Sequence, residues 1–154
     1  MAQNTSRVHG QLTQVVMEIE SDLIVPEPSQ INDYFVKKNG QRFAGTHLLV
    51  DLWEAKNLED KKIVEKALRK AAASANATAL HVHLNKFTEN GGISGVLVLA
   101  ESHISIHTWP ERSFAAVDIF MCGNCDPHKC IDVLNDVFEP ANIILIEQRR
   151  GLLP

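Results

Sequence analysis

The sequence has 154 residues, of which 45% are hydrophobic and 22% are charged, a balance typical of one ordinary globular domain that buries its own core. The net charge of -4 provides no basic surface for nucleic acid, and the longest apolar run, Val96 to Ala100, is too short to span a bilayer. Residues 1–7 lack the apolar segment of a signal peptide and the three cysteines crowd between Cys122 and Cys130, so we expect reduced thiols, a cytoplasmic location, and no nucleic-acid or membrane partner.

The N-terminal stretch, residues 1–44, is predicted to be an extension that is only partly ordered. Residues 1–13 are mostly polar and are expected to fray. Residues 14–25 mix apolar with acidic side chains and end before a Pro-Glu-Pro sequence, so a strand and a short amphipathic segment both remain open. Ser29 can cap a short helix that ends with two lysines and the Asn39-Gly40 pair, and we predict a helix there.

From Gly45 onward the pattern predicts alternating strands and helices. We expect a strand from His47 to Trp53, a helix from Asn57 to Ala75 and a second strand from Ala79 to Leu84. The helix has one apolar stripe that can face a core, formed by Ile63, Val64, Ala67, Leu68, Ala71 and Ala75. These elements form the first βαβ unit of a domain that we place at residues 45–154.

The second half of this domain contains a pair of strands and then another βαβ unit. A loop at residues 87–92 leads into the pair, and a further strand is expected at residues 114–121. Asp126 caps a helix with Pro127 at its first position, and a last strand follows at residues 142–148. This order predicts an α+β fold, a two-layer sandwich in which two helices cover one face of a mainly antiparallel sheet.

Residues 93–109 resemble a strand but are too long to be a single one. At about 3.3 Å per residue they would extend roughly 55 Å, which exceeds a domain of this size. The main polar break is Glu101-Ser102-His103, and it contains no Gly, Pro, Asn or Asp that would make a turn comfortable. We therefore expect a forced turn at Glu101-Ser102, where backbone strain is available for chemistry.

Two neighbouring runs resemble the signature of the prokaryotic pyruvoyl-dependent S-adenosylmethionine decarboxylases: Ile93-Ser-Gly-Val-Leu-Val-Leu-Ala-Glu-Ser-His-Ile-Ser-Ile-His-Thr-Trp-Pro-Glu111 and Ala115-Ala-Val-Asp-Ile-Phe-Met-Cys-Gly123. The resemblance covers about 30 nearly contiguous positions, which is far more specific than a short motif. A weaker similarity extends from Gly45 to the last strand. Residues 1–44 have no counterpart in the short members of that family.

The resemblance implies a proenzyme that cuts itself between Glu101 and Ser102, into fragments 1–101 and 102–154. In the family, the serine hydroxyl attacks the preceding carbonyl to give an ester, elimination leaves dehydroalanine, and hydrolysis turns this into a pyruvoyl group. That group, here made from Ser102, forms a Schiff base with the substrate amine, so neither a metal nor pyridoxal phosphate is implied. The plain alternative for Ser102 is a hydrogen-bonded serine in a bent strand.

Three more residues match residues that do chemistry in the family. His107 matches the histidine that removes the α-proton during elimination, Ser94 matches the second processing serine, and Cys122 matches the thiol that returns a proton to the substrate α-carbon. Their structural alternatives are a hydrogen-bonded strand histidine, a serine at a strand start and a buried, inert thiol. His103 and Ser105 gain no role from the resemblance and are predicted to be structural.

Two residues match substrate contacts of the family. Glu111 matches a glutamate that binds ribose hydroxyls, and its alternative is a solvated loop carboxylate. Phe87 corresponds to a phenylalanine that stacks on adenine, in a loop that is one residue longer here, and its alternative is a plain core aromatic. A longer loop also occurs in relatives that share the processing motif but decarboxylate arginine or ornithine.

The spacing of Cys122-x-x-Cys125, with His128 nearby, also suits zinc ligands. The pattern of the second helix favours another role for these cysteines. Cys125 precedes the Asp126 cap and Cys130 falls four residues after it, which are the two positions of a hydrophobic staple. We therefore predict no metal site.

The sequence thus predicts a decarboxylase that acts on S-adenosylmethionine and supplies aminopropyl groups for spermidine synthesis. As in the family, it is expected to work as at least a homodimer of cleaved protomers, with the sheets pairing across subunits near the active site. Two alternatives stay open: the same pyruvoyl chemistry on L-arginine or L-ornithine, and an unprocessed, non-catalytic homologue that acts as a binding subunit.

Overall fold

The computed structural model of the chain describes residues 35–153. The predictions for residues 1–13 and 14–25, and for the first part of the helix beginning at Ser29, lie outside the described residues. Within residues 35–153, no helix is long and apolar enough to cross a membrane.

The first described elements form a β-hairpin where the sequence predicts the end of a helix. Strand β1 (Val36–Lys38) pairs antiparallel with β2 (Gln41–Phe43) across Asn39-Gly40. Asn39 and Gly40 have positive φ angles of 53° and 77°, the pattern of a type I′ hairpin turn, which Asn-Gly favours. The predicted helix is therefore wrong over residues 36–38, because the Asn-Gly pair makes a hairpin turn rather than a helix cap.

Within residues 35–153, the elements after the hairpin are six strands in one sheet, two α-helices and a short 3₁₀-helix at Pro110–Arg112. The strands and α-helices are β3 (Gly45–Trp53), α1 (Lys61–Ser74), β4 (Ala79–Lys86), β5 (Ile93–Leu99), β6 (Ser102–Trp109), β7 (Phe114–Cys122), α2 (Lys129–Phe138) and β8 (Asn142–Arg150). The strand order is β4-β5-β6-β7-β3-β8, and every neighbouring pair is antiparallel. The predicted α+β fold is confirmed.

One face of the sheet packs against both helices. Alternate residues of the central strands point to this face and are fully buried, among them Leu48 of β3, Ile106 of β6 and Ile119 of β7. They share one core with the apolar sides of α1 and α2, which contribute Leu68 and Leu134. Burying each large aliphatic side chain stabilises the fold by about 1.5–3 kcal/mol, so this core holds both helices on the same side.

The other side of the sheet, away from the helices, is its outer face. Strand alternation directs the remaining side chains of the same strands to this side. Several of its large apolar side chains are exposed, namely Leu49, Trp53, Val98, Trp109 and Ile144. Exposed apolar surface of this kind is typical of a face that another protein covers.

Both helices begin later than the sequence predicts. α1 begins at Lys61 because Asp60, rather than Asn57, accepts hydrogen bonds from the backbone N–H groups of Lys62 and Ile63, at 2.8 and 3.1 Å. Asn57 has a positive φ of 61° and lies outside the helix.

The start of α2 keeps part of the predicted capping pattern. Asp126 accepts a hydrogen bond from the backbone N–H of His128 at 3.2 Å. A tight turn follows, in which Lys129 N–H donates to the Asp126 carbonyl at 3.2 Å and Cys130 N–H to the Pro127 carbonyl at 3.1 Å. Because these bonds join residues three apart, the first turn is 3₁₀-like and the regular α-helix starts only at Lys129.

Candidate active site

A two-residue turn, Ala100-Glu101, joins β5 to β6 immediately before Ser102. Leu99 pairs with Ser102 across the turn, and Glu101 has a φ of 62°. The left-handed conformation costs a residue with a side chain roughly 1–2 kcal/mol, so the predicted turn is present and strained, but it lies one residue earlier than predicted, and Ser102 already begins β6. Glu54 also has a positive φ, so backbone strain alone does not identify a functional site. The strain at Glu101 is informative only together with the side chains around it.

Ser102 lies at the start of β6, against the end of β7. Its side chain is 8% exposed, and its Oγ accepts a hydrogen bond from the backbone N–H of Cys122 at 3.2 Å. Cys122 is half-buried. Burial, followed by the nearby Glu101 carboxylate and then by Cys125, raises the pKa of the Cys122 thiol. The thiol therefore stays protonated at neutral pH, as a proton donor requires. We call Glu101, Ser102 and Cys122 the serine cluster.

Ser94 and His107 face each other across β5 and β6 at the opposite end of these strands. Their registered pairing brings Ser94 Oγ to 2.8 Å from His107 Nδ1. The imidazole is exposed and its centroid lies 6.2 Å from the Trp109 ring. The buried Thr108 fixes this strand end, because its Oγ1 accepts from Ile93 N–H at 2.8 Å and donates to a backbone carbonyl at 2.9 Å.

The loop that contains Phe87 reaches the same end of the sheet. Asn90 Nδ2 lies 3.2 and 3.3 Å from the two carboxylate oxygens of Glu111, and Asn90 Oδ1 accepts from Gly92 N–H at 3.0 Å. Phe87 is 47% exposed, so the alternative of a plain core aromatic is wrong. Sequence reasoning missed Asn90, whose position in a loop with paired glycines was the available signal. We call Phe87, Asn90, Ser94, His107 and Glu111 the histidine cluster.

The structure does not bring the two clusters together within one chain. Ser102 and His107 are five residues apart on β6, a separation of roughly 17 Å along a strand. An odd spacing also directs their side chains to opposite faces of the sheet. His107 therefore cannot reach the α-proton of Ser102 in its own chain.

The side chains of Cys125, His128 and Cys130 each contact another protein group. Within residues 35–153, no group of three or more His, Cys, Asp or Glu side chains is arranged to hold a metal ion. His128 Nε2 lies 3.0 Å from Glu147 Oε2. Cys130 is fully buried against α1, with its Sγ 3.3 Å from the Ala71 carbonyl, whereas Cys125 is half-buried.

His103 and Ser105, predicted to be structural, lie on the outer face between the two clusters. The His103 ring centroid is 5.7 Å from that of Phe120, and Ser105 Oγ donates to Asp118 Oδ2 at 3.3 Å. Neither residue contacts the predicted chemical residues through a hydrogen bond that the structure shows.

Comparison with known proteins gives consistent matches over the domain that carries both clusters. A family profile described as S-adenosylmethionine decarboxylase matches residues 46–151. An S-adenosylmethionine decarboxylase proenzyme of Thermomicrobium roseum is 40% identical over 110 residues, covering 71% of this chain and 95% of its own. The proenzyme of the same name from Methanococcus aeolicus is 44% identical over 110 residues, covering 70% and 93%.

A solved structure agrees with these sequence matches. The crystal structure of the adenosylmethionine decarboxylase from Aquifex aeolicus superposes with a TM-score of 0.63 at 34% identity, covering 73% of this chain and 94% of that one. The profile spans more than half of the chain, and the relatives are covered almost completely. The chain therefore belongs to the S-adenosylmethionine decarboxylase family.

Proposed function

We propose that this chain is a proenzyme that cleaves itself at Glu101-Ser102 and then decarboxylates S-adenosylmethionine, supplying aminopropyl groups for spermidine synthesis. The observation that carries the proposal is a buried serine at a strained turn, hydrogen-bonded to the backbone N–H of a cysteine whose raised pKa keeps its thiol protonated, in a chain of this family. None of the relatives reported above is named as an arginine or ornithine decarboxylase. The three unpaired thiols agree with a cytoplasmic location.

The turn geometry suits the first step of cleavage. The Ser102 hydroxyl attacks the Glu101 carbonyl carbon, the peptide nitrogen takes up the hydroxyl proton, and the C–N bond breaks to leave an ester. Removal of the Ser102 α-proton then expels the Glu101 carboxylate and leaves dehydroalanine. Its tautomer reacts with water, releases ammonia and leaves the pyruvoyl group. The Cys122 N–H bond to Ser102 Oγ supports this role because it holds the oxygen near the scissile peptide.

The distance between the clusters favours a site that two chains share. Because His107 lies roughly 17 Å from Ser102 within one chain, a base for the Ser102 α-proton has to come from elsewhere. A two-fold axis that lies over the outer face, parallel to the sheet and at right angles to β6 at its middle, would set the histidine cluster of one chain over the serine cluster of the other, twice per dimer. The exposed apolar side chains of the outer face support such a pairing.

The residues of the two clusters have separable tasks in this arrangement. Ser94 orients the His107 imidazole through their 2.8 Å contact, Glu111 accepts hydrogen bonds from the ribose hydroxyls, and the exposed Phe87 ring stacks on adenine. The pyruvoyl carbonyl supplies an electrophile for the substrate amine and an electron sink for the loss of CO2. Cys122 then delivers its proton to the substrate α-carbon.

Replacing the attacking hydroxyl tests the proposal directly. The purified wild-type protein should show fragments 1–101 and 102–154 by intact mass, and it should release CO2 from S-adenosylmethionine but not from arginine or ornithine. Ser102→Ala should fold, stay uncut and release none. A wild-type chain that stays intact would favour the non-catalytic homologue, and turnover by Ser102→Ala would contradict the pyruvoyl mechanism.

Mixed dimers test whether two chains share the site. Ser102→Ala and His107→Ala are each inactive, but their heterodimer has one intact site if His107 acts on the partner's serine. Co-expression should therefore restore about a quarter of the wild-type site number in a statistical mixture. Ser102→Ala with Cys122→Ala is the matched control, because both changes fall in the serine cluster and no intact site forms. Absence of rescue in the first pair would contradict the shared site.

A further inference from the structure

Cys122 and Cys125 stand at the two ends of the turn that follows β7. The backbone N–H of Cys125 donates to the Cys122 carbonyl at 3.4 Å, and Gly123 between them has a φ of 60°. The end residues of such a four-residue turn have Cα atoms within about 7 Å. Disulfides span Cα separations of about 4.4–6.8 Å, so the backbone already holds the two cysteines in range.

Both side chains are partly accessible to solvent. Both cysteines are half-buried. Burial and then the Glu101 carboxylate raise the pKa of each thiol, and Cys125 contributes further to the raised pKa of Cys122. Cys125 Sγ lies 3.6 Å from the Asn76 carbonyl, a weak contact that its rotation would lose at little cost.

The third cysteine differs in its burial and in the size of its pKa shift. Cys130 is fully buried, and its thiol donates to the Ala71 carbonyl at 3.3 Å. Burial raises the pKa of Cys130 to about 12, so this thiol is inert near neutral pH. The chain thus provides an unreactive internal reference beside the pair.

We propose that Cys122 and Cys125 form a reversible disulfide that switches the decarboxylase off by removing the proton that Cys122 donates. The loss of activity rests on the proposed function of Cys122, whereas formation of the bond does not. Cys125 has no part in the proposed catalysis, so the switch gives it a role beyond packing.

A small-molecule disulfide is the oxidant of this reaction. The thiolate of one cysteine attacks it, forming a mixed disulfide and releasing one thiol, and the second cysteine then attacks the mixed disulfide and releases the other. Two protein thiols are oxidised and one external disulfide is reduced to two thiols. Because both thiols have raised pKa values, oxidation should be slow near neutral pH and faster as the pH rises. Reduced Cys122 and Cys125 are not held as stabilised thiolates, so the disulfide should persist once formed.

The test treats mature wild-type enzyme with the cyclic disulfide of dithiothreitol, followed by alkylation and tryptic mass analysis. Cleavage after Arg112 and Lys129 places Cys122 and Cys125 in one peptide and Cys130 in the next. The first peptide should lose about 2 Da and resist alkylation. Decarboxylation should fall in proportion to the oxidised fraction, by more than about 10-fold when oxidation is complete, and return with reduced dithiothreitol.

Cys125→Ser is the matched variant, since it leaves Cys122 intact and should retain full activity in both oxidised and reduced buffer. Absence of the internal disulfide in wild-type peptide 113–129 would overturn the proposal. A disulfide that forms without loss of activity would overturn the switch through the assigned role of Cys122. Failure of the proposed function is distinguishable, because the enzyme would then be inactive before any oxidant is added, while the mass of the peptide still reports the bond.

Discussion

Glu101 combines two physical effects at the bond that is to be cut. Its φ of 62° stores backbone strain in the residue whose carbonyl Ser102 would attack. Its carboxylate also acts on the neighbouring thiol, since it is the second cause, after burial, of the raised pKa of Cys122. Substitution can separate the two effects, because one depends on the backbone and the other on the charge.

Glu101→Gly should relieve the strain and slow self-cleavage. Glycine adopts positive φ without a steric penalty, so the uncut chain should gain about 1 kcal/mol of stability. If that strain is released on the way to the ester, the cleavage rate should fall about 5-fold. The rate is measured from the appearance of fragment 102–154 after synthesis of the precursor in a cell-free system.

Glu101→Gln is the control for charge, because it keeps a side chain in the strained conformation. It should cleave at nearly the wild-type rate. It should also lower the pKa of Cys122, which is followed by the pH dependence of alkylation at Cys122 itself, distinguished from Cys125 by fragmentation of peptide 113–129. Cleavage of Glu101→Gly at the wild-type rate would show that strain at this position does not promote the reaction.

His107→Ala and Cys122→Ala should separate the making of the pyruvoyl group from its use. His107 is needed for elimination, so its loss should stall the chain at the ester, and hydroxylamine should then split the ester between Glu101 and Ser102. Cys122→Ala should still process, but it should protonate the substrate carbon poorly, because a positioned acid contributes roughly 10²- to 10⁴-fold. The measurements are the fragment masses and the progress curve of CO2 release.

The Cys122 variant has a second signature. Protonation at the wrong carbon would convert the pyruvoyl end of fragment 102–154 to alanyl, and the enzyme would lose activity as turnover proceeds. Full, linear activity of Cys122→Ala would show that another residue donates the proton. A His107→Ala chain that resists hydroxylamine would show that His107 does not act after ester formation.

At the scale of elements, sequence periodicity predicted the helices and strands whose formation depends on burying one face. The apolar stripe of α1 and the alternation in β6 and β7 follow from burial on one face, so the types of these three elements were predicted correctly. Local backbone geometry was harder to predict. Asn39-Gly40 suits both a helix end and a hairpin turn, and only pairing with residues 41–43 distinguishes them. Two candidates, Asn57 and Asp60, precede α1, and hydrogen bonding selects Asp60.

The spatial arrangement of the candidate site was also not predicted from the sequence. Matching residues to a family predicted each candidate's chemistry but not which of them meet in space. Ser102 and His107 are close in sequence, yet both lie in the uninterrupted strand β6, and the register pairs His107 with Ser94 at its far end. A sequence does not specify that register until the position of the turn is known. The division into two clusters therefore appeared only with the sheet.

At the scale of the whole molecule, the outer face contains a polar group as well as apolar ones. Arg150 Nη1 donates to His47 Nδ1 at 3.2 Å, so Nδ1 carries no proton and the neutral imidazole has its proton on Nε2. Nε2 is buried, and it lies 3.5 Å from Asp118 Oδ1 without forming a good hydrogen bond. The Phe120 ring centroid is 5.9 Å away. A second chain over this face would bury the His47 imidazole further.

Burial is the largest cause of a lowered pKa of His47, Arg150 and His103 lower it further, and Asp118 opposes them. The folded chain therefore binds fewer protons at His47 than the unfolded chain, so this contribution to stability is present above about pH 6.5 and is lost as the pH falls below it.

In the uncut Ser102→Ala background, His47→Gln should reduce the drop in unfolding temperature between about pH 7.5 and about pH 5.5, because glutamine can still accept a hydrogen bond from Arg150 but does not titrate. His81→Gln, at an exposed position on β4, is the matched control and should leave that drop unchanged. Equal drops for the His47→Gln chain and its parent would show that His47 is not the group that links this fold to pH.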